Sequence, residues 1–317
     1  MKIFDIEGFG SYGKIIENVD LQIIGDQEWN EIKKIHAKSL LTIVRLEKKL
    51  HYKKYYNLIN NIGDCKQKFE NIDLNSFKIL KSFAVDERFM NLQRVTSLRD
   101  KNNLPLGGFD DGELLWHSNN SGRIDFIPGV ALMGYQSMKG TATGFVQSAD
   151  YFENLSESFK SEIMDMVVVH NYQEATVNPT PVPDQERIYK LGFCPEQNTK
   201  IPLVIKSPSG IVGLHLGLST FDYIDGMSKS ESKKLLKKIK EELFVEKYIY
   251  DYWWENDQNI LLFDNSITLH RRLLNKKTCG GRIAYRIPFR YTSLYGNYDP
   301  YFQEEFNIVK RKKDEFI

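Results

Sequence analysis

Two histidines and two arginines in this chain are of the right types to meet on one metal ion and one acidic ligand. His117 closes the apolar segment Leu114-Leu-Trp-His117 and is followed by Ser118-Asn119. His270 closes Asn259-Ile-Leu-Leu-Phe-Asp-Asn-Ser-Ile-Thr-Leu-His270, an apolar strand running into the turn pair Asp264-Asn265. Arg282 and Arg286 lie four apart on a later strand. A neutral imidazole is a ready metal ligand, and a planar guanidinium grips a carboxylate through two parallel hydrogen bonds. A His-x-carboxylate pair with a distant His makes the facial triad of non-haem iron(II), which leaves the opposite face open for cosubstrate and oxygen. The carboxylate's place is taken here by Asn119, whose amide oxygen is neutral and a weaker donor. Either histidine alone reads more simply as structural, and Arg282 and Arg286, alternating with Ile283 and Tyr285, read alone as solvent-facing. Their joint occurrence favours a site.

The elements that must position these groups are mostly short strands. Leu41–Leu46, Val130–Tyr135, Gly144–Gln147, Ile260–Phe263 and Ile283–Phe289 are apolar or β-branched runs of strand length. Leu203–Lys206, Pro208–Gly210 and Ile211–His215 read as strand, turn, strand. The spacing predicts amphipathic helices over Asp26–Leu40, Tyr55–Ile62 and Ala149–Met166. A further helix over 229–247 opens on Ser228-x-x-Glu231, a capping-box pattern. The expectation is a mainly β protein with flanking helices, a β-sandwich or jelly roll. Residues 1–317 read as one domain. Residues 171–200 carry four prolines and little periodicity, and read as a lid loop. Of the other histidines, His36 and His51 read as surface or boundary residues. His170 reads as a strand-end residue and His215 as a structural strand residue.

Composition narrows the function classes. The 317 residues carry 43 Lys+Arg against 42 Asp+Glu, a formal charge of +1. That balance gives no ground for a nucleic-acid groove or an anionic membrane surface. The three cysteines, Cys65, Cys194 and Cys279, are too few and too scattered for a disulfide framework. With no apolar run of membrane length and no leader-like start, a cytoplasmic location is expected. A small-molecule substrate fits this profile, and so does a homo-oligomer.

Several segments, taken in order, resemble the taurine dioxygenase family, the clavaminate synthase-like iron(II)- and 2-oxoglutarate-dependent oxygenases. Gly8-Phe-Gly10 through Val19-Asp-Leu21 resembles the family's opening, and Leu41–Leu46 its first core strand. Trp116-His-Ser-Asn119 stands where the family has Trp-His-x-Asp. Gly140-Thr-Ala-Thr-Gly-Phe145 resembles its Gly-Gly-x-Thr-x-Phe. Phe263-Asp-Asn265 to His270 resembles its Trp-Asp-Asn…His, and Arg282-x-x-x-Arg286 its closing arginine pair.

The resemblance implies a double-stranded β-helix. Its chemistry would be oxidative decarboxylation of 2-oxoglutarate coupled to attack on a substrate C–H bond. His117 and His270 would ligate iron(II), with Asn119 in the carboxylate's place. Thr143 and Arg282 would hold the distal carboxylate of 2-oxoglutarate, and Arg286 would face an anionic group of the primary substrate. Glu113 is a candidate for a substrate amine, which would make the substrate small, polar and amino-acid-like. Asn119 leaves three outcomes open. Its amide ligates iron and hydroxylation persists. It turns away and water or a halide takes the position, as in halogenases on this scaffold. Or the metal is lost and the fold persists as a small-molecule-binding protein. Asp110, Asp111 and Asp125, which flank the motif together with Glu113, are weaker candidates for a replacement ligand.

Overall fold

Apolar runs long enough for a strand but too short for a helix dominate the chain, and most of them pair into two facing sheets. The computed structural model describes residues 1–21, 25–65, 78, 81–109, 113–122, 126–171, 198–255, 257–274 and 281–291. Its strands are β1 (Lys2–Asp5), β2 (Gly13–Val19), β3 (Leu41–Leu46), β4 (Gly63–Asp64), β5 (Gln93–Thr96), β6 (Leu114–His117), β7 (Gly129–Gln136), β8 (Thr141–Gln147), β9 (Val167–His170), β10 (Thr199–Pro202), β11 (Val204–Lys206), β12 (Val212–Leu214), β13 (Phe221–Ile224), β14 (Ile249–Trp253), β15 (Ile260–Asp264), β16 (Thr268–Leu274) and β17 (Ile283–Tyr291). The larger sheet runs β1-β2-β3-β15-β7-β17-β4, with β5 also paired to β17. The smaller sheet runs β14-β8-β16-β6, and β10-β9-β13 and β11-β12 form two minor ones beside the facing pair.

β15 explains the layering. Ile260 and Leu262 pack into a core shared with Trp29, Ile32, Tyr55 and Ile59 from the helices Asp26–His36 and Tyr52–Ile62. Leu261 and Phe263 face the other way, into a core with Phe145, Tyr252 and Trp254 from the smaller sheet and the residue after it. Successive side chains of a strand alternate faces. A run apolar at every position therefore marks a strand buried on both sides. The expected jelly roll with flanking helices is the fold observed.

The helix Lys229–Leu243 forms as its pattern predicts. Ser228 Oγ accepts from the Glu231 N–H at 3.2 Å, and the Glu231 carboxylate accepts from the Ser228 N–H at 3.0 Å. Leu235, Ile239 and Leu243, one turn apart, are its buried stripe. It ends four residues before the expected 247. The single helix expected over Ala149–Met166 is two, Ala149–Glu153 and Glu157–Ile163. Ser156 starts the second by accepting from the Phe159 N–H at 3.3 Å. Most of the segment expected to be a lid, 172–197, lies outside the described residues, as do Asp110, Asp111 and Asp125. Among the described residues, no helix is long and apolar enough to cross a membrane.

His36 corrects the sequence expectation. It is fully buried rather than at the surface, 3.1 Å from both Thr42 Oγ1 and Tyr291 Oη. Its helix presents Trp29, Ile32 and His36 on one face, at spacings of three and four. Burial pushes the His36 imidazole down to about 3 and that of His215 to about 4, and holds His170 well below its ordinary value. These groups stay neutral at pH 5 in the fold but take up protons in the unfolded chain, so their contribution to stability is lost as pH falls through 6.5. Each therefore contributes less stability at pH 5 than at pH 7. Asp264, raised to about 7 by burial, has the opposite sign and returns about 2 kcal/mol over the same range. The net expectation is a fall in stability on acidification, because these three histidines, together with His117 and His270, outnumber Asp264, measured as the urea unfolding free energy at the two pH values. A flat profile would contradict these assignments.

Candidate metal centre between the two sheets

The two candidate histidines are direct neighbours across a strand pair. His117 ends β6, His270 lies in β16, and the antiparallel register places them opposite each other. Their ring centroids are 4.2 Å apart. His117 Nδ1 donates to the Leu115 carbonyl at 2.7 Å, which fixes the tautomer and leaves the Nε2 lone pair for a ligand. Burial pushes the His117 imidazole down to about 4, with Arg286 and Arg272 adding to the effect and the Leu115 carbonyl opposing it. His270 is also held well below its ordinary value, by burial first and then by His117 and Arg286. Both rings are therefore neutral near pH 7, the state that binds a metal.

Asn119 sits in the turn after β6, and Asn265 holds its backbone from both sides. The Asn119 N–H donates to Asn265 Oδ1 at 2.9 Å, and Asn265 Nδ2 donates to the Asn119 carbonyl at 2.9 Å and to the Ile127 carbonyl at 3.1 Å. Asp264 secures the same corner by accepting from the Ser266 and Ile267 N–H groups. The turn pair thus fastens the chain after β6 beside β16. The side chain of Asn119 reaches His270 Nε2 through Nδ2 at 3.2 Å and Arg286 Nη1 through Oδ1 at 3.2 Å.

The facing sheet supplies the cations. Arg282 and Arg286 line the same cavity as His117, Asn119, Thr143 and His270. Arg282 is buried, and its carbonyl accepts from Thr96 Oγ1 at 2.6 Å. Thr143 Oγ1 accepts from Trp254 Nε1 at 3.0 Å, which leaves its hydroxyl proton to be donated to a ligand. Arg286 has two neutral partners, Asn119 and Gln93 Oε1 at 3.1 Å, and its Nε is enclosed without a partner. Loss of hydration pushes its guanidinium down to about 10. Glu113 is exposed and is not among the residues that line the cavity.

Arg272, Phe109 and Trp254 are among the lining residues that went unnoticed in the sequence. Arg272, buried two residues beyond His270 and hence on the same strand face, donates to the Phe109 carbonyl at 2.9 Å. That two-residue offset was the available signal. Phe109 stacks with Arg286 at 5.4 Å from guanidinium carbon to ring centroid. Trp254, fully buried, forms the back of the cavity. Gln93, which anchors Arg286 from β5, carried no signal at all.

Among the described residues, no three His, Cys, Asp or Glu side chains converge as a metal site. The donors at hand are two imidazoles and one amide. The imidazoles fit a divalent ion, and the amide supplies a third donor, an oxygen, if it turns about its Cβ–Cγ bond.

Residues 79–287 match the family model described as "Taurine catabolism dioxygenase TauD, TfdA family". Among solved structures, the fold is shared with AAD-2 in complex with Mn(II) and N-oxalylglycine, at 18% identity and a TM-score of 0.65 over 92% of this chain and 98% of that one. A taurine dioxygenase from Burkholderia xenovorans matches at 17% identity and a TM-score of 0.65, over 92% of this chain and 89% of that one.

Proposed function

The chain belongs to the taurine catabolism dioxygenase TauD, TfdA family of iron(II)- and 2-oxoglutarate-dependent dioxygenases, and on that premise we propose that it hydroxylates a small polar substrate bearing an anionic group. The observation that carries the substrate reading is Arg286. It is a cation largely withdrawn from water, held by two neutral amides, and its Nε has no partner. Such a group favours an anion that supplies the missing charge and acceptor. Glu113, on the exposed side, adds nothing for an amine, so the anionic group is the better-supported half of an amino-acid-like substrate.

His117 and His270 would hold the iron, with Asn119 beside them. Iron supplies the activation of oxygen when bound. The chain's own residues bind and orient. Thr143 donates its hydroxyl, and Arg282 its guanidinium, to the distal carboxylate of 2-oxoglutarate. The apolar wall of Phe263, Val130 and Leu132 limits water around the reacting centre. Arg282→Ala is therefore expected to weaken 2-oxoglutarate binding by roughly tenfold or more, the worth of a charge-assisted hydrogen bond, while metal affinity changes little. Calorimetric titration of each ligand checks this, and equal loss of both would point to general unfolding.

The substrate reading is tested by iron-dependent succinate release from 2-oxoglutarate with a pool of small metabolites. Stimulation by carboxylate- or sulfonate-bearing compounds, lost in Arg286→Ala, is expected. Stimulation by neutral compounds alone, or unchanged in Arg286→Ala, would overturn it. The neutral Asn119 also favours a second reading, halogenation, because the site lacks one negative charge that a halide would supply. Its signature is halogenated product and a chloride-dependent metal spectrum, and hydroxylated product at any chloride concentration would exclude it.

A further inference from the structure

The orientation of the Asn119 amide is decided by its neighbours. A guanidinium only donates hydrogen bonds, so the atom facing Arg286 Nη1 at 3.2 Å is oxygen. The atom facing His270 Nε2, also at 3.2 Å, is then the amide nitrogen, which donates to the imidazole lone pair. Asn119 thus turns an N–H toward the candidate metal position and spends its oxygen on Arg286. The Asn119 backbone is clamped at N–H and carbonyl by Asn265. The freedom left to it is in the side chain, where a half-turn about Cβ–Cγ exchanges oxygen and nitrogen at almost no change in shape. Arg286 is itself held by Gln93 Oε1, so Gln93, Arg286, Asn119 and His270 form one hydrogen-bonded chain.

We propose that Arg286 is a positioning residue for Asn119: it holds the amide oxygen away from His270, and an anion bound at Arg286 releases that oxygen and so strengthens metal binding. This rests on the assignment of His117 and His270 as metal ligands. An oxyanion at the guanidinium, whose Nε has no other acceptor, neutralises its charge and so weakens the bond from Nη1 to the neutral amide. With that bond weakened, the amide gains by turning its oxygen toward the cation at the histidines. The effect is reciprocal, since bound metal draws the amide oxygen away and leaves Arg286 open to the anion. The donated N–H occupies the His270 Nε2 lone pair that a metal would use.

The test is a double-mutant cycle on Mn(II) affinity, measured on the full chain by electron paramagnetic resonance of free Mn(II). The proteins are the unaltered chain, Arg286→Leu, Asn119→Ala and the pair. Removing a guanidinium relieves charge repulsion with the metal in either background, and that contribution cancels in the cycle. Arg286→Leu is expected to tighten Mn(II) about fivefold more when Asn119 is present than when it is Ala, the scale of one hydrogen bond. Arg286→Met replaces Leu in the cycle if Leu does not fold. Acetate at constant ionic strength is expected to tighten Mn(II) in the unaltered chain and not in Arg286→Leu. An equal factor in both backgrounds, or an equal acetate effect with and without Arg286, overturns the positioning role while leaving the metal assignment standing. Failure of every protein to bind Mn(II) overturns both.

Discussion

Replacing His270 by Ala is expected to lower divalent-metal affinity by roughly 100-fold or more, beyond the 10–100-fold range typical of losing an outer partner of a metal ligand. His270 and His117 are the only imidazoles that line the cavity among the described residues, and the register of β16 against β6 brings them together. With one imidazole gone, His117 and a neutral amide remain, a set too weak to hold a labile divalent ion at micromolar concentration. The variant should still fold, because His270 is only partly buried and its loss leaves the apolar core around Phe145 and Phe263 in place. Metal titration together with a thermal unfolding curve separates the two effects. Unchanged affinity in a folded variant would remove His270 from the metal centre.

The second large effect is expected at Asn265. Its side chain satisfies three backbone groups, the N–H and carbonyl of Asn119 and the carbonyl of Ile127, and it is fully buried. Asn265→Ala removes these partners where water enters poorly, at about 1–3 kcal/mol for each buried group left unsatisfied. Relief by local movement brings the expected loss to about 3 kcal/mol. That corresponds to a fall in melting temperature of roughly 4–5 °C for a chain of 317 residues. Metal affinity should fall as well, because the turn carrying Asn119 is no longer fastened to β16. A loss of stability below about 1 kcal/mol with intact metal binding would mean that the turn is held by other contacts.

The sequence made the set of site residues readable better than their contacts. His117, His270, Thr143, Arg282 and Arg286 do line one cavity, because each sits at or near a strand whose apolar pattern is plain. The pairing of those strands could not be read. β15 lies between β3 and β7, more than a hundred residues away from either, and nothing local encodes that choice. Asn265 was visible as a turn residue, but its clamp on Asn119 depends on that long-range pairing. Gln93 fell in a stretch without clear periodicity. His36 was misplaced although its spacing from Trp29 and Ile32 put it on the buried face, since a polar residue in an apolar stripe needs partners that only the fold reveals. Here these are Thr42 from β3 and Tyr291 from β17. Asn119 was recognised as the departure from the family pattern, but its engagement with Arg286 was not foreseen.

The most direct test of the account is an anaerobic titration of the protein with iron(II) and 2-oxoglutarate, followed by visible absorption. A weak charge-transfer band should appear only when both are present, saturate at one equivalent of each, diminish in Arg282→Ala and vanish in His270→Ala. Absence of any band at saturating iron and 2-oxoglutarate, or a band that persists unchanged in His270→Ala, would contradict it.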